Sequence, residues 1–271
     1  MPPVLFSRQE RVGIITLNRP EALNALSQDL MRSLESVLDE IAADGTLRAL
    51  IVTGAGTAFS AGGDLVEFAA LRGSGSTHLL AALEYNQSVL EKLESLPFPV
   101  IAAVNGVAVA GGLELVLCCD VVLAADNAKL GDGHARYAII PAGGATARLP
   151  KRMPASIAAH LFFSAELYPA QQFAAWGLVN EVTTAAELLN RATALAGVYA
   201  GHSSRVLAAI KRLTRGNMGP VAELARAELK EFARYVDCED LAAGLAHFVA
   251  RRSTQGGGRT DRRSASGAER Q

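Results

Sequence analysis

Apolar residues near the start of the chain recur with two different spacings. The run at 11–17 is rich in apolar residues and predicts a β-strand. Over 26–41, leucines and an isoleucine recur every three or four positions, which predicts an amphipathic helix, and Ser27 is a candidate N-cap for it. The chain therefore begins with a strand followed by a helix.

The same alternation continues towards the middle of the chain. The apolar run at 49–54 predicts a short buried strand, and the leucines of 79–96 predict a second helix. Pro97 and Pro99 end that helix before another apolar strand at 100–104. Strands that alternate with helices indicate an α/β protein in which helices cover a sheet.

The last part of the sequence has a different pattern. From about residue 145 onward the pattern is mostly helical, and Gly177 ends one of the predicted helices. No linker divides the part of the chain that can form a core. Residues 254–271 are rich in glycine, serine and arginine and poor in apolar side chains, so we predict that this tail is disordered.

Composition limits the classes of protein to which the chain can belong. Half of its 271 residues are hydrophobic, which is enough for a substantial core. Its 26 basic and 27 acidic residues nearly balance, which argues against a general nucleic-acid-binding surface. The start of the chain does not resemble a secretory signal, the longest apolar region is interrupted by polar residues, and the three cysteines form no disulfide framework. We therefore expect a cytoplasmic protein without a membrane span.

Two stretches of the chain repeat one arrangement. Residues 49–65 and 100–115 each run from an apolar strand through a glycine-containing turn into the letters AGG and a carboxylate, Asp64 or Glu114. Glycines allow the backbone to approach a ligand closely, and the N-terminus of a helix presents unpaired N–H groups. One amide from each turn, directed at the same oxygen atom, would form an oxyanion hole, in which each donor contributes roughly 10²–10³ in rate.

Five motifs in a characteristic order give the chain a family resemblance: LNRPEALNAL, AFSAGGDL, PVIAAVNGVAVAGGLELVLCCDVVLAA, IIPAGGATARLP and WGLVNEV. Over residues 10–252 the chain resembles the enoyl-CoA hydratase/isomerase, or crotonase, superfamily. The resemblance implies an α/β fold, with a spiral core of ββα units in 1–195 that holds an acyl-CoA site and a helical C-terminal trimerisation region in 196–253. It also implies a coenzyme A thioester as substrate, a homotrimer or a hexamer of two trimers, and no separate cofactor.

The resemblance assigns roles to individual residues. Gly63 and Gly111 occupy the positions whose amides form the oxyanion hole, and Glu114 occupies the position of the first catalytic glutamate of the hydratases. A carboxylate at that position handles the water that adds to the β-carbon of an α,β-unsaturated thioester. The positions that hold coenzyme A correspond to Ala22, Leu23, Ala61, Asp64 and Leu65, with Phe248 and Arg251 as further candidate contacts from the C-terminal helix.

His134 departs from the family pattern. It stands seven residues before Pro141, where hydratases and isomerases have a second glutamate. A neutral histidine can take up or release a proton near pH 7, and either Asp132 or Glu114 could orient it. Acid–base chemistry is therefore preserved, but the mechanism with two carboxylates is not. Superfamily members that hydrolyse carbon–carbon bonds have a histidine in this region, but Gly143 stands where their aspartate partner is expected.

Three functions stay open on the sequence alone. Hydration of a 2-enoyl-CoA thioester, in fatty-acid or related acyl-CoA metabolism, is the main prediction, with Glu114 and His134 as catalytic residues. The alternative among enzymes is isomerisation of another acyl-CoA or hydrolysis of its carbon–carbon bond, with His134 replacing the second glutamate. The alternative outside enzymes is a paralogue that binds acyl-CoA or associates with RNA, for which the basic tail at 254–271 would be the relevant feature. The remaining histidines have no ligand spacing, so no metal site is expected.

Overall fold

A computed structural model describes residues 1–216, 229–230, 232–233, 236–237 and 239–256. The described strands are β1 (Val4–Gln9), β2 (Val12–Leu17), β3 (Ala49–Gly54), β4 (Ala58–Ser60), β5 (Val100–Val104), β6 (Val107–Val109), β7 (Val121–Ala125), β8 (Lys129–Gly131), β9 (Tyr168–Pro169) and β10 (Glu181–Thr183).

The described α-helices include both helices predicted from the leucine patterns. They are α1 (Gln28–Ala43), α2 (Leu65–Gly73), α3 (Ser76–Ser95), α4 (Gly111–Leu117), α5 (Ala145–Arg152), α6 (Ala155–Ser164), α7 (Ala170–Ala175), α8 (Leu188–Ala200), α9 (Ser204–Gly216) and α10 (Glu239–Gly256). Two short 3₁₀ helices cover Pro20–Ala22 and His134–Tyr137.

The strands form two sheets. Six of the described strands make the main sheet in the order β1-β2-β3-β5-β7-β10, in which β1 is antiparallel to β2 and the other neighbours are parallel. Four short strands make the second sheet in the order β4-β6-β8-β9, in which the last pair is antiparallel. The chain passes from β3 to β4, from β5 to β6 and from β7 to β8, and α2 and α4 follow the first two of these steps. The result is a spiral of ββα units.

Two glycines allow close packing of the turns between the two sheets, Gly54 within its own unit of the spiral and Gly106 against the preceding unit. A Cβ atom on Gly54 would overlap the carbonyl oxygen of Ala58, and a Cβ atom on Gly106 would overlap the carbonyl oxygen of Thr57. Any larger residue would therefore push the turns between the two sheets apart. The close stacking places β4 beside β6, and with them the two AGG segments that follow these strands.

The main core lies between the main sheet and the apolar sides of its helices. Ser27 caps α1 as predicted, because its side-chain oxygen accepts the N–H of Leu30 at 3.2 Å. The leucines that predicted α1, including Leu34 and Leu38, are fully buried. Gly177, with a φ of +91°, follows the end of α7 as predicted. These local signals are strong because capping and periodicity act within one or two turns of helix.

The structure differs from the sequence-based prediction in the C-terminal part. β10 pairs in parallel with β7 at the edge of the main sheet, in a region predicted to be helical. A strand of three residues is too short to show an alternating pattern, so only its tertiary partner defines it. The predicted boundary at residue 195 falls inside α8, whose Ala192 and Ala196 are buried in the main core.

The end of the described chain is helical. α10 continues to Gly256, three residues into the predicted tail at 254–271. The rest of that tail lies outside the described residues. Within the described ranges, none of the helices has the length and apolar character needed to cross a membrane.

Candidate active site

The two AGG turns lie against each other at the ends of β4 and β6. In the first turn Gly62 has a φ of +86°, and a Cβ atom there would lie 2.7 Å from the carbonyl oxygen of Val109. In the second turn, Ala110 immediately precedes α4. A Cβ atom on Gly111 would lie 3.3 Å from the amide nitrogen of Gly63. The two amides predicted to form an oxyanion hole are therefore neighbours.

Ala110 has a strained backbone conformation. Its φ of 52° and ψ of −119° lie outside the regions that non-glycine residues favour, at a cost of roughly 1–3 kcal/mol. Two hydrogen bonds hold it: its N–H donates to the carbonyl oxygen of Gly131 at 3.2 Å, and its own carbonyl accepts the N–H of Glu114 at 3.0 Å. This turn sets the direction in which the N–H of Gly111 points at the start of α4.

Within the described part of the chain, the N–H groups of Gly63 and Gly111 donate no hydrogen bond. Both residues line a mostly apolar cavity of about 140 Å³. The adjacent backbone is paired, since the N–H of Leu26 donates to the carbonyl oxygen of Gly62 at 2.8 Å. Gly111 is buried and Gly63 is exposed. Buried N–H groups are nearly always satisfied in folded proteins, so the unpaired donor of Gly111, with that of Gly63 beside it, indicates a site for a ligand oxygen.

Glu114 lies in the same cavity, on the first turn of α4, and is 4% exposed. One carboxylate oxygen, Oε1, accepts the N–H of Gly143 at 2.8 Å and that of Ala145 at 3.2 Å. Both donors lie at the start of α5, where the helix dipole favours a negative charge. A Cβ atom on Gly143 would overlap this carboxylate, so a side chain there would displace Glu114. The aspartate of the carbon–carbon hydrolases has no space at this position.

His134 and Asp132 form a hydrogen-bonded pair at the cavity wall. Nδ1 of His134 lies 2.9 Å from Oδ1 of Asp132, and Oδ2 of Asp132 accepts the backbone N–H of His134 at 3.2 Å. Asp132 is 1% exposed and the His134 side chain 10%. Of the two partners considered from the sequence, Asp132 is the one that contacts the ring. A hydrogen bond from Nδ1–H to a carboxylate favours the tautomer in which Nε2 accepts protons.

A groove of about 430 Å³ opens beside the cavity and shares lining residues with it, among them Gly63 and Tyr137. Arg251 is exposed on α10 and lies outside the described lining of the groove, so its contact with coenzyme A stays a prediction. The other positions predicted for coenzyme A all line the groove: Ala22, Leu23, Ala61, Asp64, Leu65 and Phe248.

Arg136 also lines this groove. At the level of sequence Arg136 hinted at a polar acyl group, and it was not assigned to coenzyme A. Its guanidinium donates to the carbonyl oxygen of Ala165 at 3.2 Å, at the C-terminal end of α6. A guanidinium at the edge of an elongated groove is suited to phosphate groups. No local sequence pattern indicates this position of Arg136, because Arg136 and Ala165 come into contact only in the folded chain.

The spiral of ββα units and its cavity define the protein as a member of the crotonase-fold class. The solved structure of an enoyl-CoA hydratase/isomerase from Mycobacterium paratuberculosis superposes on it with a TM-score of 0.85 and 27% sequence identity, over 91% of this chain and 98% of the other. The α/β crotonase-like fold predicted from the sequence is confirmed, and the trimerisation role of its C-terminal region stays a prediction.

Sequence comparisons identify the family. The family model described as enoyl-CoA hydratase/isomerase matches residues 7–258. A probable enoyl-CoA hydratase of Bacillus subtilis (strain 168) is 36% identical over 257 residues, which cover 94% of this chain and 98% of the relative. The 2,3-dehydroadipyl-CoA hydratase of Escherichia coli (strain K12) is 35% identical over 261 residues, 96% of this chain and all of the relative. The chain belongs to the enoyl-CoA hydratase/isomerase family and is an enzyme of acyl-CoA thioesters.

Proposed function

We propose that the protein is an enoyl-CoA hydratase in which a histidine replaces the second catalytic glutamate. The observation that carries this proposal is the joint placement of Glu114, the His134–Asp132 pair and the two unpaired glycine amides around one cavity. Each group alone has a structural explanation. Together they supply an acceptor, a donor and an oxyanion site within a mostly apolar enclosure, as water addition to a thioester requires.

The substrate would occupy both pockets. The coenzyme A arm lies in the groove, near Arg136, and the acyl group enters the cavity. The thioester carbonyl oxygen accepts the N–H groups of Gly63 and Gly111. As water adds to the β-carbon, negative charge builds up on that oxygen, and the two fixed donors stabilise the enolate more strongly than the ground-state carbonyl.

The two acid–base residues then have different tasks. Glu114, held through Oε1, orients the attacking water with its second carboxylate oxygen. Nε2 of His134 takes a proton from this water as its oxygen bonds to the β-carbon, and Asp132 stabilises the resulting imidazolium. Nε2 then returns the proton to the α-carbon of the enolate. The overall reaction adds one water molecule and needs no oxidant, reductant or metal ion.

Hydrolysis of a carbon–carbon bond in a β-keto acyl-CoA is the second candidate, and the His134–Asp132 pair favours it because it can activate water. Gly143 argues against it, since its N–H holds Glu114 in place of the expected aspartate. The RNA-associating alternative depends on a tail that lies mainly outside the described residues.

Three further expectations complete the proposal and rest on the family resemblance and the composition. Coenzyme A enters as part of the substrate, and no additional cofactor or metal ion takes part. The protein assembles as a homotrimer or as a hexamer of two trimers. It works in the cytoplasm.

The proposed function is tested by following the loss of the conjugated-thioester absorbance of crotonyl-CoA. We expect the native protein to form 3-hydroxybutyryl-CoA, and we expect His134→Glu, which restores the carboxylate of the hydratases, to remain active. A native protein that is inactive with crotonyl-CoA but cleaves a β-keto acyl-CoA would overturn the proposal in favour of the second candidate.

Asp132→Asn is expected to lower kcat by about 10²-fold, because a single amide oxygen cannot accept both the Nδ1–H and the backbone N–H of His134 and the neutral amide does not stabilise the imidazolium. KM for crotonyl-CoA should change little, since Asp132 is buried behind His134. Asp126→Asn, at an exposed position after β7, is the matched control and should keep the native kcat. Equal kcat values for the two variants would show that Asp132 does not assist His134.

A further inference from the structure

The cavity that would hold the acyl group ends between α1 and α3. Its far wall contains Met31 from α1 and Leu83, Asn86 and Leu90 from α3. Met31 is fully buried and the two leucines are apolar, so Asn86 is the polar side chain of this wall among the described residues. An amide in an otherwise apolar wall must find a hydrogen-bond partner.

The partner of Asn86 is Gln28. Nε2 of Gln28 donates to Oδ1 of Asn86 at 2.9 Å. Gln28 is the first residue of α1, and its backbone N–H donates to Oε2 of Glu67 at 2.7 Å, which fixes the main chain at this point. The side chain of Gln28 is therefore the movable half of this contact.

A second, solvent-facing pocket of about 530 Å³ lies on the other side of this pair. Gln28 lines this outer pocket and Asn86 lines the inner cavity, so the hydrogen bond between them marks the partition. The other residues that line the outer pocket belong to the same two helices: Arg32, Glu35, Ser36, Asp39 and Tyr85. The Gln28–Asn86 hydrogen bond thus joins one side chain of each lining.

We propose that the Gln28–Asn86 pair is the end stop of the acyl cavity and limits the enzyme to short acyl chains. The proposal rests on the proposed function for the identity of the ligand. With the pair closed, the cavity of about 140 Å³ is smaller than the roughly 300–1,000 Å³ typical of ligand pockets, and a longer chain has no exit. Without these two side chains the cavity joins the outer pocket, and a longer chain passes between α1 and α3.

The direct test measures the binding of two saturated, unreactive ligands, butyryl-CoA and decanoyl-CoA, by calorimetry. The native protein should bind butyryl-CoA more tightly. In Gln28→Ala/Asn86→Ala the affinity for decanoyl-CoA relative to butyryl-CoA should rise at least about tenfold, since each additional methylene removed from water contributes roughly fourfold. An unchanged ratio in a variant with native melting behaviour would overturn the end stop.

Two further variants complete this test. Lys92→Met removes another polar link between the same helices, because Nζ of Lys92 lies 3.0 Å from Glu35 and 2.7 Å from Asp39, away from the inner cavity. It should keep the native ratio, and a shift as large as that of the double variant would contradict our interpretation. Gln28→Ala alone, at a partly exposed position, should shift the ratio in the same direction by a smaller factor, and it serves if the double variant does not fold.

The outcome separates the end stop from the reaction. If the selectivity of binding changes while the native protein is inactive with every 2-enoyl-CoA, the end stop stands and the proposed reaction fails. If crotonyl-CoA is hydrated and the ratio does not change, the reaction stands and the end stop fails. If both proposals hold, the ratio of the rates with 2-decenoyl-CoA and crotonyl-CoA should rise in the double variant together with the ratio of the affinities for decanoyl-CoA and butyryl-CoA.

Discussion

Replacing Glu114 with glutamine is expected to lower kcat for crotonyl-CoA hydration by about 10²-fold or more, because the attacking water is no longer held in the orientation that the reaction needs. The carboxamide keeps the size of the side chain but carries no charge. It has one acceptor oxygen, which can serve the N–H groups of Gly143 and Ala145 or the water, and its NH₂ group can accept neither. The water then loses the acceptor that orients it towards the β-carbon.

The interpretation of this variant depends on separating chemistry from binding. The affinity for butyryl-CoA should stay near the native value, because the groove and the two oxyanion amides are unchanged. Glu84→Gln, on the exposed side of α3, is the matched control and should keep the native kcat. His134→Ala should cost a similar factor to Glu114→Gln, and the double variant should lose little more than either single one, since the two residues act in one step.

One pattern of rates would reject the assigned roles. If Glu114→Gln kept nearly native activity while His134→Ala lost it, Glu114 would only fix the start of α5. The His134–Asp132 pair would then act alone on water, as the carbon–carbon hydrolase alternative requires.

Glu94→Gln is expected to lower the free energy of unfolding by about 1.5–3 kcal/mol, because the buried Arg148 guanidinium loses a charged hydrogen-bond partner that is itself only 20% exposed. Oε2 of Glu94 accepts Nε and one terminal nitrogen of Arg148 at 3.1 and 2.7 Å, and Oε1 lies 2.6 Å from Arg215. The Arg148 side chain is 2% exposed, and burial lowers the pKa of Arg215 to about 10. Without the carboxylate, the buried Arg148 loses its counter-charge, whereas Arg215 keeps Asp120 at 2.7 Å.

The matched control for Glu94 is an exposed pair of the same chemistry. Glu181 and Arg191 are also 2.7 Å apart, but both are open to solvent, so Glu181→Gln should leave stability nearly unchanged. Chemical denaturation of the two variants measures the contrast. Equal losses of stability would show that burial of the Glu94 pair has no particular effect.

The Glu94 variant should also lose activity in the fraction that stays folded. Arg148 donates to the carbonyl oxygen of Gly143 at 2.7 Å, and Gly143 donates in turn to Glu114. The ion pair therefore supports the catalytic carboxylate from outside the cavity. Because a displacement of about 1 Å can cost roughly 10²-fold in rate, kcat should fall while the affinity for butyryl-CoA changes less.

The sequence by itself determined the features that act over a few residues. Helix α1 follows from its leucines and Ser27, and three strands of the main sheet, β2, β3 and β5, follow from continuous apolar runs. The repeated AGG segments predicted two equivalent turns. The same repeat predicted that these turns lie close together, because equivalent turns of a repeating unit lie side by side. The family resemblance added the fold class and the position of Glu114.

Only the tertiary structure decided the contacts between distant segments. β10 exists because β7 provides a partner for three residues, and Arg136 reaches the groove because α6 folds back beside it. Gly143 binds Glu114 across 29 positions, and Gln28 meets Asn86 across 58. Hydrogen bonds of this kind leave no local pattern, since either partner alone looks like an ordinary polar or small residue. The sequence therefore specified which chemistry the chain carries, and the packing of its helices specified how these groups are held and where the cavity ends.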